Sequence, residues 1–283
     1  MLLLALDTST RQASVALCSE DELLGEYTWH VGNNHSVELL DRVRRLMAEC
    51  GKTMTELDGV AVATGPGSFN GLRVALATAK ALAFALKKPL LGMSTLDIIA
   101  AQQRQWHGPI CAVLEAGRSE LYAACYVFDE VHSDDEGEHE GGTVTYRMRR
   151  LSDYLLHTPE QLAGYLREQA NDWLAVPGER RLPPFLFCGE LSVASRQALY
   201  AHMQEQSLFV NGIQATRHAA TLAILAWQRW RDGEEDDPLL LEPLYLRRPS
   251  ITTSTRKQPL LSGLAHQPGG RHKTEREEGA LRH

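Results

Sequence analysis

With 283 residues, the chain is long enough to bury a sizeable core and to form two half-domains. Its hydrophobic share of 43% and charged share of 23% are ordinary for a globular protein. The formal net charge of −7 argues against direct binding of nucleic acid, which needs basic residues gathered on one face.

The N-terminus and the cysteines predict a cytoplasmic protein that makes no membrane contact. Only five apolar residues follow Met1 before Asp7, which is too short for a signal peptide but suits a buried strand. No stretch approaches the roughly 18 consecutive apolar residues of a membrane span. The 5 cysteines contain no CxxC pair and are expected to be reduced thiols.

The first part of the chain predicts a mixed sheet covered by helices. Three apolar segments joined by short polar turns indicate an antiparallel meander, and helices then alternate with buried strands. The helix that begins at Ser36 has a polar N-cap and ends before Gly51. The predicted strands are Leu2–Leu6, Ala13–Cys18, Leu23–Trp29, Gly59–Thr64 and Pro89–Gly92, and the predicted helices are Ser36–Cys50, Asn70–Lys87 and Ser94–Gln103.

The second part repeats this order in a reduced form. Residues 129–142 are strongly acidic and are predicted to form a solvated loop. From about Thr252 the composition turns polar, and residues 252–283 are predicted to be disordered. The predicted strands are Ile110–Leu114, Leu121–Phe128, Val144–Leu151 and Phe185–Cys188, and the predicted helices are Thr158–Gln169, Ser192–Gln206 and Thr216–Trp230.

A carboxylate and three hydroxyls follow the first strand, at Asp7, Thr8, Ser9 and Thr10. Such a turn between two strands can hold Mg²⁺ and bind phosphate oxygens. Alternatively, the side chains bond their own backbone in a structural turn. These four residues alone favour the structural interpretation.

A glycine-rich loop, GPGSFNGLR, leads into the long alanine-rich helix. It lacks the spacing of a dinucleotide fingerprint and the Gly-Lys-Ser/Thr ending of a Walker loop. It is predicted to be a tight turn capped by Ser68 or Asn70, which could bind an anion. Small residues recur along the helix every four positions, so another backbone could approach it closely, either the chain's own sheet or a partner.

Three further segments are weaker signals. His35 would need a second metal ligand one turn later, but that position is Leu39. The turn Glu115–Arg118 mirrors the Asp7 turn and indicates either a second phosphate or metal contact or a turn fixed by an ion pair. The segment Glu242–Arg248 contains Pro243 and therefore predicts an extended edge or a segment clamped across the domain.

Together these segments closely resemble the TsaB (YeaZ) family. The resemblance covers most of residues 1–251 and rests on LALDTST, ASVAL, NHSVELL, GPGSFNGLR, EAGRSELYAACY and EPLYLR, in that order. It implies an α/β fold of two actin-like (ASKHA, ribonuclease H-like) half-domains, 1–105 and 106–251, the second reduced. The family motif comprises Gly65, Pro66, Gly67, Ser68, Phe69, Gly71 and Arg73.

The resemblance also implies a function. A family member is an essential but non-catalytic subunit that binds and activates TsaD, which transfers threonylcarbamoyl to adenosine 37 of ANN-decoding tRNAs. A TsaE-like ATPase joins through the complex, tRNA is contacted only indirectly, and the chain can form a homodimer when alone. No cofactor or metal is expected. The implied interface residues are His35, Val37, Leu40, Arg44, Met47, Gly71, Val74, Ala75, Thr78, Ala79 and Leu82.

The sequence departs from the family at two motifs. Asn70 stands where threonine is usual, and Glu115–Arg118 replaces a more compact Asp-Ala-Arg. The alternative function is an ASKHA-type ATPase or kinase that uses Asp7 with Mg²⁺. The sequence does not decide whether Asp7–Thr10 form a weak, vestigial nucleotide site. A peptidase is disfavoured because no nucleophile, base and orienting acid can be assembled from these segments.

Overall fold

A computed structural model of the chain describes residues 1–20, 22–31, 35–131, 145–174 and 183–247. Within the compact unit Met1–Arg248, two sheets are each flanked by helices. The predicted tail, residues 252–283, lies outside the described residues, as does most of the predicted acidic loop.

The first sheet has the strand order β3-β2-β1-β4-β5. The predicted meander is confirmed, since β1 pairs antiparallel with β2 and β2 with β3, while β4 and β5 add parallel strands. The elements of this half are β1 (Leu2–Asp7), β2 (Gln12–Ser19), β3 (Leu23–His30), α1 (His35–Glu49), β4 (Gly59–Gly65), α2 (Phe69–Leu86), β5 (Leu90–Ser94) and α3 (Thr95–Ala101).

The second sheet has the order β11-β10-β6-β7-β8, with β9 paired to β7. The predicted hairpin is confirmed as β6 and β7. Strand β10 pairs parallel with β6, and β11 pairs parallel with β10. The elements are β6 (Ile110–Gly117), β7 (Glu120–Val131), β8 (Thr145–Arg150), β9 (Leu155–His157), α4 (Pro159–Leu174), β10 (Phe185–Glu190), α5 (Val193–Met203), β11 (Ser207–Phe209) and α6 (Ala219–Arg231).

The acidic loop does not begin at Asp129, as predicted, because β7 continues to Val131. Asp129 faces Arg147 across the pair β7–β8, and its carboxylate accepts a hydrogen bond of 2.6 Å from Arg149. The ion pair and the ladder therefore extend the strand into a segment whose composition predicts a loop.

Helix α6 comes from the second predicted half-domain but packs on the first sheet. Its buried residues Leu222, Ala223 and Trp227 share a core with Leu3 and Ala61 of β1 and β4. The opposite face of that sheet is covered by α1 and α2. The division into 1–105 and 106–251 stays a prediction, but the layers of the first half are not contiguous in sequence.

The segment after α6, residues 236–247, forms a strap across both halves. Asp236 N–H donates to the carbonyl of Leu90 at 2.9 Å, and Leu244 N–H donates to that of Thr64 at 2.8 Å. Arg247 then reaches the β6–β7 turn, where it donates to the carbonyl of Ala116 at 2.9 Å. The predicted clamp is thus confirmed, and we call these residues the C-terminal strap.

By length and hydropathy, α2 is the one helix in the described part of the chain that could cross a membrane. One of its faces, however, packs into the core through Leu72, Ala75 and Ala79. A core helix passes the same test of length and composition, so this helix alone is weak evidence for a membrane span.

A half-buried carboxylate joins α3 to the second sheet. Asp97 accepts hydrogen bonds from the hydroxyl of Tyr126 at 2.7 Å and from that of Tyr154 at 3.1 Å. Burial raises the pKa of Asp97, and the two tyrosine hydrogen bonds offset this only in part. Burial and the adjacent Asp97 also raise the pKa of Tyr154 to about 12.

We expect Asp97→Asn to change how stability depends on pH. Because the folded-state pKa of Asp97 is raised, its contribution to the free energy of unfolding is greatest at low pH. That contribution falls as pH rises from the ordinary carboxyl value of about 4 through the folded-state value. Each tenfold difference in proton affinity between the folded and unfolded states corresponds to about 1.4 kcal/mol.

Urea unfolding of the wild type and the variant between about pH 4 and 7 measures this difference. Asp129→Asn serves as a control of opposite sign, because hydrogen bonds from Arg149 lower the pKa of Asp129. Parallel pH profiles for wild type and Asp97→Asn would contradict the expectation.

Candidate functional site

The turn after β1 is held by its own hydrogen bonds. Asp7, Thr8 and Ser9 are buried, and one carboxylate oxygen of Asp7 accepts from Ser9 N–H at 2.8 Å and from Ser9 Oγ at 2.6 Å. This is the side-chain-to-backbone turn that the four polar residues alone favour.

The other carboxylate oxygen of Asp7 is paired with an arginine that lies 210 residues later in the chain. Arg217 Nε donates to Asp7 Oδ2 at 2.9 Å, Nη2 donates to Thr10 Oγ1 at 2.9 Å, and Nη1 pairs with Glu190. Arg217 is only 1% exposed. Burial by itself would lower the pKa of the guanidinium, but Asp7 and Glu190 together raise it above its usual range.

Asp7 is poorly placed to coordinate Mg²⁺ in this arrangement. Mg²⁺ requires free oxygen ligands in octahedral geometry. Both oxygens of Asp7 already accept hydrogen bonds, and a permanently charged guanidinium lies against the second one. No group of three His, Cys, Asp or Glu side chains suited to a metal occurs among the described residues.

The mirrored turn of the second half also has a structural partner. Glu115 accepts from the backbone N–H of Ser192 at 2.9 Å, just before α5. Arg118, which the sequence pairs with this acid, is exposed and lies in the left-handed region at φ 56°. A pocket of about 420 Å³ lies between the two turns and is lined by Arg11, Gln12, His30, Glu115, Gly189, Glu190, Leu191, Ser192, Arg196, Gly212, Ala215 and Thr216.

The glycine-rich loop packs directly on the Asp7 turn. Ser68 N–H donates to the carbonyl of Ser9 at 2.6 Å, and Thr8 Oγ1 donates to the carbonyl of Gly71 at 2.6 Å. A Cβ atom at Gly71 would lie 1.9 Å from the carbonyl oxygen of Thr8, and one at Gly67 would lie 2.1 Å from that of Ser9. Both glycines are therefore required for close backbone contact rather than for an exposed phosphate loop.

The remaining motif residues position the start of α2. Ser68 is its N-cap, as predicted, and accepts from Gly71 N–H. Gly65 and Pro66 are buried, and Gly65 has φ 107°, which favours glycine. Phe69 is exposed and contacts Tyr245 of the C-terminal strap, with the ring centroids 5.4 Å apart. The Arg73 guanidinium lies over the Phe69 ring, 5.1 Å from its centroid.

The predicted interface residues divide into buried and accessible groups. Met47, Gly71, Ala75 and Ala79 are buried inside the chain, so in this fold they are not available to a partner. Leu40 is 48% exposed, Arg44 is exposed, and Val74, Thr78 and Leu82 are half-buried. The side chains of His35 and Val37 lie outside the described residues.

Helix α2 exposes a second face that the predicted list does not contain. We call this the outer stripe, and it consists of Arg73, Ala77, Ala81, Phe84 and Ala85. Arg73, Ala77, Ala81 and Ala85 recur every four residues and Phe84 lies three residues after Ala81, so the stripe follows one side of the helix. Phe84 is 80% exposed, and the alanines beside it offer a smooth apolar surface.

Comparison with known proteins identifies the family. The model of the family TsaD, tRNA N6-adenosine threonylcarbamoyltransferase, matches residues 30–255. The tRNA threonylcarbamoyladenosine biosynthesis protein TsaB of Bacillus subtilis is 35% identical over 87% of this chain and 94% of its own length. The chain belongs to the TsaB (YeaZ) family.

Other members of the family agree in sequence and in structure. TsaB of Haemophilus influenzae is 28% identical over 87% of this chain and 94% of its own length. The solved structure of YeaZ from Pseudomonas aeruginosa is 28% identical, with a TM-score of 0.64 over 87% of this chain and 99% of that one. The predicted fold class, two actin-like half-domains, is thereby confirmed.

Sequence reasoning missed the two residues that complete the cleft of this TsaB-family fold. Arg217 pairs with Asp7 although it lies 210 positions later in the chain, and Glu190 pairs with Arg217 from the other side. Neither residue stands in a recognisable motif. The one available signal was the position of Arg217 just before an apolar helix, where a buried basic residue would need a distant acidic partner.

Proposed function

We propose that this chain is a non-catalytic subunit that binds and activates a TsaD-like catalytic subunit. In this proposal the complex transfers threonylcarbamoyl to adenosine 37 of ANN-decoding tRNAs, the reaction of t6A biosynthesis. The family membership supports the process, since the curated relatives are named tRNA threonylcarbamoyladenosine biosynthesis proteins.

The observation that carries the proposal is the accessible surface formed by α1 and α2. Leu40 and Arg44 are exposed on α1, which contacts α2, and the outer stripe is exposed on α2. Exposed alanines at four-residue spacing allow the backbone of another helix to approach closely. We infer that a helix pair of the TsaD-like chain packs here, and that a second copy occupies the same surface when that partner is absent.

The charge of the chain supports a model in which the partner makes the RNA contact. The net charge of this chain is −7, whereas phosphate binding requires clustered Lys and Arg. We therefore propose that tRNA is contacted only indirectly, that a TsaE-like ATPase joins through the assembled complex, and that the protein works in the cytoplasm.

Size-exclusion chromatography with light scattering, on the purified chain mixed with TsaD from the same organism, tests the proposal. We expect a co-eluting complex that transfers threonylcarbamoyl to tRNA, with each chain inactive alone. Separate elution together with full transfer by TsaD alone would contradict it.

The alternative function, an ATPase or kinase acting through Asp7, finds no support in the geometry of the cleft. It would require ATP turnover by the isolated chain that is lost in Asp7→Ala. We expect no turnover, because the oxygens of Asp7 are already bonded to Ser9 and Arg217.

A further inference from the structure

The cleft between the two sheets contains a buried cation supplied by the chain itself. Asp7 ends β1 of the first sheet, Glu190 ends β10 of the second, and Arg217 lies just before α6. The guanidinium lies between the two carboxylates and is almost completely removed from water. One positive group therefore joins the strand ends of both sheets.

The donors of Arg217 are nearly all used. Besides Asp7, Glu190 and Thr10, Nη2 donates to the carbonyl of Gln12 at 2.8 Å. Thr10 Oγ1 in turn donates to Glu190 at 2.7 Å, so the turn of the first half and the strand end of the second half are also bonded directly. A planar guanidinium suits this task because its donors point in fixed directions.

We propose that Arg217 is an internal cation that joins the strand ends of the two sheets and occupies the place beside Asp7 where the divalent ion of a bound nucleotide would otherwise lie. The cleft of this chain then has one geometry, independent of ligand. The inference concerns the cleft alone and stands whether or not the chain activates a partner.

Arg217 also helps to fix the first turn of α2. Arg217 bonds the Asp7–Thr10 turn, and Thr8 of that turn bonds the carbonyl of Gly71. The path from the buried guanidinium to α2 thus consists of two hydrogen-bonded steps through one turn. Helix α2 is consequently positioned by the chain's own residues and needs no bound nucleotide to order it.

Removal of the guanidinium should leave the carboxylates of Asp7 and Glu190 without a positively charged partner. In Arg217→Ala, Asp7 and Glu190 share a cleft with no cation, and breaking a buried ion pair in this way is strongly destabilising. We expect Tm to fall by about 10 °C. Ethylguanidinium or Mg²⁺ at tens of millimolar should restore several degrees by binding between the carboxylates.

Arg229→Ala is the matched control. Arg229 also pairs with two carboxylates, Glu234 and Asp236, but its own side chain is 27% exposed, against 1% for Arg217. We expect a smaller fall in Tm and no recovery with either cation. For the wild type, neither Mg²⁺ nor Mg²⁺ with ATP should change Tm.

Two outcomes would overturn the proposal: a rise in the Tm of the wild type with Mg²⁺ and ATP, or an Arg217→Ala protein as stable as the wild type or unresponsive to both cations. If Arg217→Ala does not fold, the triple substitution Asp7→Asn, Glu190→Gln and Arg217→Met removes all three charges together. Folding of this neutral variant supports the internal cation, and its failure to fold better than Arg217→Ala contradicts it.

Discussion

Replacing Gly71 with alanine is expected to destabilise the fold by about 3 kcal/mol, the upper end of the usual range for overpacking. The added Cβ would lie 1.9 Å from the carbonyl oxygen of Thr8, which is a backbone atom and cannot rotate away. Alanine is the better helix former by about 1 kcal/mol, but the steric conflict outweighs that gain. Urea unfolding followed by far-UV circular dichroism measures the change.

Gly164 provides a control of opposite sign. It lies within α4, and a Cβ at this position would meet nothing within 4 Å. Gly164→Ala should therefore stabilise the protein by about 0.5–1 kcal/mol through helix propensity alone. Equal effects of the two substitutions would show that close contact between α2 and the Asp7 turn is not what requires glycine at position 71.

Replacing Ala81 with glutamate is expected to weaken association with a TsaD-like partner by about 100-fold or more. Ala81 lies in the outer stripe, so the substitution would bury an unpaired charge in the proposed interface, at a cost of about 3–5 kcal/mol. The folded chain itself should keep its stability to within about 0.5 kcal/mol, because the residue is exposed and glutamate is a good helix former.

Ala79 is unsuitable for this experiment although it belongs to the predicted interface. Its side chain is 0% exposed, so a bulky charged residue there would disrupt the core and reduce binding only indirectly. Ala201, an exposed alanine on α5, is the matched control. Wild-type affinity in Ala81→Glu, measured by isothermal calorimetry, would remove the outer stripe from the interface.

Local sequence patterns were sufficient for the longer elements. Apolar runs predict β1 and β4, and the predicted helix Asn70–Lys87 agrees with α2, Phe69–Leu86, to within one residue at each end. The three-residue strands β9 and β11 were missed because so short a segment has no measurable periodicity.

The site was less predictable than the fold, since its decisive contacts are long-range. The Asp7 turn and the glycine-rich loop could each be found in sequence, but not that one packs on the other. Nor does any local pattern indicate that Arg217 completes the turn at Asp7 or that α6 covers the first sheet. Small residues occur on both the buried and the exposed side of α2, so spacing alone could not show that Ala79 is buried and Ala81 exposed.

The position of α6 has a consequence for synthesis on the ribosome. The strands of the first sheet are complete at Ser94, but the helix that covers Leu3 and Ala61 ends only at Arg231. At about 5–20 residues per second, the nascent chain carries an uncovered apolar sheet for roughly ten seconds or more. The growing polypeptide should therefore be a substrate for ribosome-associated chaperones until α6 has left the exit tunnel.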